Sequence, residues 1–154
     1  MALFLVYLGG RIQGCHIEMH DVRFVVGDSI EQTYSKLKAQ WVGDKSNVHM
    51  DSYMQIQHID GYKVEVVEEA HGQPEKLYFV NLGAYRADRL AEQHDFALYV
   101  ARSSEEAKQR AKESLLAGLS HLHKDDLHDV DDCFAIDLLD SHLSIKLTPS
   151  GQSQ

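Results

Sequence analysis

Residues 18–21 read Glu-Met-His-Asp, and residues 92–95 read Glu-Gln-His-Asp. In an extended segment the Glu and His, at i and i+2, point to one side and the Asp to the other. Glu18 with His20, and Glu92 with His94, are therefore oxygen–nitrogen donor pairs of the kind that hold a divalent metal or a small ligand. Asp21 and Asp95 stand where they can cap the loop backbone. A structural alternative gives each His to a loop carbonyl and each Asp to backbone N–H groups at the strand entrance. A second recurring pair, His49-Met50-Asp51 and His123-Lys124-Asp125, offers either further ligands or turn residues. The candidate metal ligands are thus Glu18, His20, Glu92, His94, His49, Asp51, His123 and Asp125. Arg11 and Arg86 sit just past the turns at Gly9 and Gly83, one residue out of register with each other, beside a His/Glu loop where a guanidinium could clamp carboxylate or phosphate. They join Glu18, His20, Asp21, Glu92, His94 and Asp95 as candidate ligand-binding residues. His16 is set aside: on a straight strand it lies ~13 Å from His20, too far for one zinc ion.

These residues recur because the chain is a duplication. At an offset of 74, Leu8 falls on Leu82, Gly9 on Gly83, His20 on His94, Asp21 on Asp95 and Val26 on Val100. Ser29 falls on Ser103, Glu31 on Glu105, His49 on His123 and Asp51 on Asp125, without a gap. Beyond that the register slips by two, setting 59–66 against 130–138. Each copy opens with an apolar run (4–8; 78–82) long enough for a buried strand and too short for a helix. A loop carrying the Glu-x-His-Asp follows, then a strand rich in β-branched and aromatic residues. Ser29 with Gln32, and Ser103 with Glu106, have the spacing of a helix capping box. Ile30, Tyr34, Leu37 and Trp41 form one apolar stripe that stops at Gly43, and Ala107, Ala111, Leu115 and Leu122 form another. An acidic loop and a last strand, 62–67 or 143–147, complete each copy.

The predicted fold is α+β: a β-β-α-β unit in two copies, residues 1–68 and 77–148, with one main helix per half. Alone, such a unit cannot cover its apolar faces, so the two are expected to pack round a pseudo-twofold axis as one compact body. Residues 149–154 are polar and expected to fray.

The sequence has 154 residues and a formal net charge of −9. A surface of this sign repels phosphate backbones, which argues against nucleic acid and anionic membrane as partners. The longest apolar run, 2–8, is far short of a membrane span and lacks the basic flank of a signal peptide. Cys15 and Cys133 occupy unmatched positions, so no disulfide framework is expected and a reducing cytoplasm is the expected compartment. No G-x-S-x-G elbow, EF-hand spacing or dinucleotide fingerprint is present.

The set Glu18, His20, Asp21, Phe24, Trp41, His49, Asp51 and 59–62 (Ile-Asp-Gly-Tyr), with 77–85, 92–95, 123–126 and 130–137 in the second half, resembles a bacterial family catalogued as domain of unknown function 1543. The resemblance implies the duplicated architecture and no established activity or cofactor. It also implies a loop at 127–129 shorter than in relatives, and a second helix without the Trp. The expected function is a ligand- or partner-binding module, with the paired loops near the repeat interface holding a small anionic molecule or a divalent metal, or bracing a homodimer. The alternatives are a metal-dependent hydrolase-like enzyme using Glu18/His20 and Glu92/His94, and a purely structural protein-interaction module.

Overall fold

The opening apolar run is a strand covered on both faces. In a computed structural model, residues 1–69, 72–85, 87–117, 127–136 and 142–154 are described, with backbone alone at 116–117 and 127–134. The first half contains β1 (Ala2–Gly10), β2 (Met19–Gly27), a 3₁₀ turn (Glu31–Thr33), α1 (Tyr34–Gln40), β3 (His49–Ile56), β4 (His58–Ile59) and β5 (Tyr62–Val67). The second contains β6 (Lys76–Ala84), β7 (Gln93–Ala101), α2 (Ser104–Ala117), β8 (Leu127–Ala135) and β9 (Ser144–Pro149).

The first half thus has two strands more than the predicted unit, β3 and the short β4, and the second has one more, β8, among the described residues: 49–56 and 127–135 are strands, not acidic loops. Both lie at sheet edges. The sheet orders are β2-β1-β3 and β7-β6-β8, all antiparallel, and a third sheet runs β4-β5-β9. The counterpart of β5 is therefore β9, not the segment 130–138 that the slipped alignment set against it.

The alternation along β1 explains its unbroken apolar character. Phe4, Val6 and Leu8 are buried with Ile30, Leu37 and Trp41 around α1. Leu3 and Leu5 face the other way, into a core shared with Leu77 and Phe79 of β6. The second half repeats the scheme: Tyr78, Val80 and Leu82 pack with Ala107 and Ala111 of α2. The predicted helix stripes hold, except that Tyr34 is 49% exposed and Leu122 lies outside the described residues. The capping signal at α2 is also real. Ser103 Oγ accepts the Glu106 N–H at 3.2 Å, and Glu106 Oε2 reaches back to the Arg102 N–H at 2.9 Å.

The shared core makes the two halves one body. It contains Val26, Ile56, Ile59 and Val64 from the first half, and Val100, Ile136 and Leu147 from the second. The third sheet closes one end of the space between the larger sheets: β5 lies beside Leu3 and Ile56, and β9 beside Leu77 and Ile136. Gly9 and Gly83 lie six residues on from Leu3 and Leu77, at the far end of β1 and β6, ~20 Å away at the rise of a strand.

Asp60, in the left-handed region at φ 50 between β4 and β5, crosses from one half to the other. Its Oδ2 accepts the Val100 N–H at 2.7 Å and pairs with Arg110 at 3.0 Å. Arg110 also donates to the Val100 carbonyl at 2.7 Å, as Lys36 donates to that of Val26 at 3.3 Å in the first half. Asp60→Ala leaves a partly buried N–H and a guanidinium without this partner. We expect a loss of about 1–3 kcal/mol, at about 2–4 °C in Tm for each kcal/mol. A calorimetric melt unchanged from wild type would show that this staple contributes nothing.

The last residues do not fray. Gln154 Oε1 accepts the N–H groups of Gln57 at 2.6 Å and His58 at 3.0 Å, and its Nε2 donates to the Gln55 carbonyl at 3.0 Å. The Gly61 N–H donates to Ser153 Oγ at 2.8 Å. The backbone groups that β3 and β4 leave unpaired supply the partners that a polar tail would otherwise find in water.

Candidate functional site

Strand pairing brings the first-half candidates together over a residue with no side chain. Gly9 on β1 lies opposite His20 on β2 and opposite His49 on β3. A Cβ on Gly9 would lie 2.7 Å from His49 Cε1, 3.1 Å from Asp51 Oδ2 and 3.1 Å from His20 Cδ2. Glu18, in the turn entering β2, completes the group. Its Oε1 lies 2.6 Å from His49 Nε2, and its Oε2 3.5 Å from His20 Nε2. Asp51 Oδ2 lies 3.2 Å from His20 Nε2, and Asp51 Oδ1 2.7 Å from His49 Nδ1. The four side chains are between one third and one half exposed.

Asp51 reaches this group through a β-bulge. Tyr7 pairs with Ser52 but Leu8 pairs with Met50, so Asp51 is the extra residue. A bulge bends the strand and re-aims a side chain. It also breaks the two-residue alternation: Tyr53 turns to the α1 side, 6.1 Å from Phe4 edge to face, and Ile56 to the shared core.

The second half repeats the bulge. Asn81 pairs with Asp132 and Leu82 with Val130, leaving Asp131 as the extra residue, and Ala84 pairs with Leu127. Residues 128 and 129 then lie opposite Gly83, which pairs with His94 on its other side. In β8 the offset between halves is therefore 80, not 74, and Asp131 rather than Asp125 holds the position of Asp51. The segment 127–129 is part of this strand and not a shortened loop. Glu92 Oε2 lies 3.4 Å from His94 Nε2, matching the 3.5 Å of Glu18 and His20. Arg86, His123 and Asp125 lie outside the described residues.

Rings join the two groups. Tyr7 stacks on His20 at 5.4 Å with planes 6° apart, and its other neighbour is Phe96 at 6.2 Å. Phe96 stands two positions along β7 from His94, on the same face.

Asp21 and Asp95 take the structural role open to them. Asp21 Oδ1 accepts the Val22 N–H at 2.8 Å and its Oδ2 pairs with Arg23 at 2.7 Å; Asp95 Oδ1 accepts the Phe96 N–H at 2.9 Å. Arg11 lies exposed in the coil after β1, with its carbonyl accepting the Asp44 N–H at 3.2 Å. A cleft of about 360 Å³ on the α1 side adjoins this group, lined by Tyr34, Lys38, Lys45, Ser46 and His49 over Leu8 and Leu37.

His49 is held above the ordinary imidazole value of 6.5, first by the hydrogen bond with Glu18. The charges of Glu18 and Asp51 add to this, and desolvation opposes it. With the folded value raised, the stabilising contribution is full below the ordinary value and is lost as pH rises through the folded one. An NMR titration of the His49 ring should show a midpoint above 6.5. A midpoint at or below that value means the Glu18–His49–Asp51 clamp is not formed in solution.

In this arrangement the donors bond one another: among the described residues no three His, Cys, Asp or Glu groups are set to hold a metal ion. No helix of the described residues is long and apolar enough to cross a membrane.

A crystal structure of a protein Il1583 from Idiomarina loihiensis is similar over 99% of this chain and 89% of its own, with 37% identity and a TM-score of 0.78. None of the curated proteins matches. A family model described as Domain of Unknown Function (DUF1543) matches residues 15–66 and again 89–139. Each match takes in the Glu-x-His-Asp segment, the helix and the bulged strand. The chain belongs to this family and carries two copies of its domain.

Proposed function

We propose that the protein is a binding module whose site is the group over Gly9, and that its ligand is a divalent transition-metal ion. The observation that carries this reading is the convergence of His20 from β2 and of His49 and Asp51 from β3 on the space a Cβ at Gly9 would fill, with Glu18 set against both imidazoles. Two carboxylates and two imidazoles are a donor set suited to zinc, manganese or iron. Neighbouring ligands in a tetrahedral zinc site, with bonds of ~2.0–2.2 Å, stand ~3.3–3.5 Å apart. His20 Nε2 is 3.2 Å from Asp51 and 3.5 Å from Glu18. Loading requires His49 to release Glu18 or Asp51, and so to give up a proton. The carboxylates favour a cation over an anion at this position.

A small anion has an adjoining address. Lys38 and Lys45 flank the cleft on the α1 side, and the reading as an anion-binding module rests on that cleft. The bracing reading rests on His49, which is engaged at both ring nitrogens. Hydrolysis would further need an open coordination position and a carboxylate free to act as base.

Elemental analysis of tag-free wild type and of the His20→Ala/His94→Ala variant, with circular dichroism on both, tests the cation reading. Near-stoichiometric zinc, manganese or iron, absent from a still-folded variant, is the expected result. Wild type that neither retains nor takes up these ions on titration, beside a variant that melts early, would replace it with the bracing reading.

A further inference from the structure

We infer that the cleft on the α1 side takes a small amphipathic monoanion, a carboxylate on an apolar body of about ten non-hydrogen atoms. The inference rests on the anion reading of that cleft and names the class of molecule; it needs no metal over Gly9. Charge is the first support. The chain carries a formal net charge of −9, yet residues 32–43 hold Lys36 and Lys38 and no acid, and Lys45 follows Asp44. Lys36 donates to the Val26 carbonyl and Lys63 pairs with Glu65. Lys38 and Lys45, both lining the cleft, have no anionic partner among the described residues. The Asp44 carboxylate beside Lys45 is engaged by its own turn, accepting from Ser46 at 2.7 Å and 2.9 Å and from Asn47 at 3.3 Å.

The lining supplies the apolar half. Tyr34, Leu37 and Lys38, at i, i+3 and i+4 on α1, share one face, and they line the cleft together with Leu8, Val48 and Met50. Tyr34 is the one member of the first helix stripe left 49% exposed, while Ile30, Leu37 and Trp41 are buried. A ligand body laid along that wall would cover its ring. Size then separates the classes of anion. At about 30 Å³ for a water-sized unit, a cleft of about 360 Å³ holds roughly a dozen non-hydrogen atoms. A bare inorganic ion would leave most of it to water. Glu18 and Asp51, which adjoin through His49, disfavour a second negative charge, so a carboxylate suits the cleft better than a phosphate dianion.

NMR titration of metal-free wild type with octanoate, acetate and 1-octanol tests this, together with the Lys38→Ala/Lys45→Ala and Glu18→Gln/His20→Ala variants. Octanoate is expected to bind one equivalent and to shift the resonances of Tyr34, Ser46 and Met50. It should bind at least about tenfold more tightly than acetate, the gain from burying about two methylene groups. The lysine variant, changed only at exposed positions, should keep the wild-type melt and bind octanoate about 3–30-fold more weakly, as two exposed ion pairs allow. Octanol should be weaker than octanoate by the same factor, and the Glu18/His20 variant should bind octanoate as wild type does. Acetate bound as tightly as octanoate overturns the apolar body and leaves the anion reading standing. Octanol bound as tightly as octanoate, or a lysine variant with wild-type affinity, removes the anion reading and the inference with it. So does the absence of binding by both octanoate and acetate. Loss of octanoate binding in a folded Glu18/His20 variant places the head at the Gly9 group and overturns the site as drawn.

Discussion

Phe79→Ala lowers stability by about 3–5 kcal/mol, and the loss falls on both halves together. Phe79 is 7% exposed in the core between the two larger sheets. Its ring lies 5.6 Å from Phe24 of the first half and 5.6 Å from Phe96 of the second. Removing it therefore opens a cavity at the seam and takes an aromatic partner from each side. Thermal unfolding followed by circular dichroism and by the fluorescence of Trp41, which reports the first half alone, should shift to the same lower midpoint. Separate midpoints for the two probes would mean that the halves unfold independently and that the shared core does not couple them.

Gly9→Ala is expected to weaken binding at the Gly9 group by about 10–100-fold, the scale set by lost metal-site determinants, with little change in fold. The new methyl group meets the far ends of His49, Asp51 and His20 rather than backbone, so those side chains move and the strand stays. Titration of the variant with zinc should show the equivalent assigned to the Gly9 group bound that much more weakly, while its far-UV spectrum and melt stay near wild type. If that equivalent is retained at wild-type affinity, the ion does not sit over Gly9. If the melt collapses, the clash has been relieved through the backbone and the group is part of the fold's own bracing.

Much of this architecture is legible in the sequence where one physical cause dominates. The runs at 4–8 and 78–82 are continuous because β1 and β6 are covered on both faces. The capping serine and glutamate at α2 are readable because that chemistry is local. The Asp21 and Asp95 caps follow from the two-residue period of a strand. The edge strands β3 and β8 were hidden for the opposite reason. One face of β3 lies near solvent, as the exposure of His49 and Asp51 shows, and in both strands a bulge, at Asp51 or Asp131, shifts the register midway. A search for strict period two over 49–56 fails for that reason alone. The same insertion defeated the alignment: helix and loop lengths change the offset from 74 to 80 between α2 and β8, so His123 and Asp125 matched His49 and Asp51 only by continuing the earlier register. Setting 49–56 against 129–136 would have matched Asp51 to Asp131 and Ile56 to Ile136. The role of Gly9 is not legible at all, since a sequence does not show which side chains will gather over a bare position.

The antiparallel pairing of β5 with β9 joins equivalent strands from the two copies. A strand that pairs antiparallel with its own counterpart also pairs with itself on another molecule. A chain holding one copy alone would expose β5 as an open edge and cover it by dimerising, so its folding would depend on concentration. Tethering the two copies turns that encounter into an intramolecular one, at an effective concentration in the millimolar range for a short joint. The duplicated protein can then stay assembled at any dilution, and its two copies are free to diverge, because a substitution in one is no longer repeated in the other.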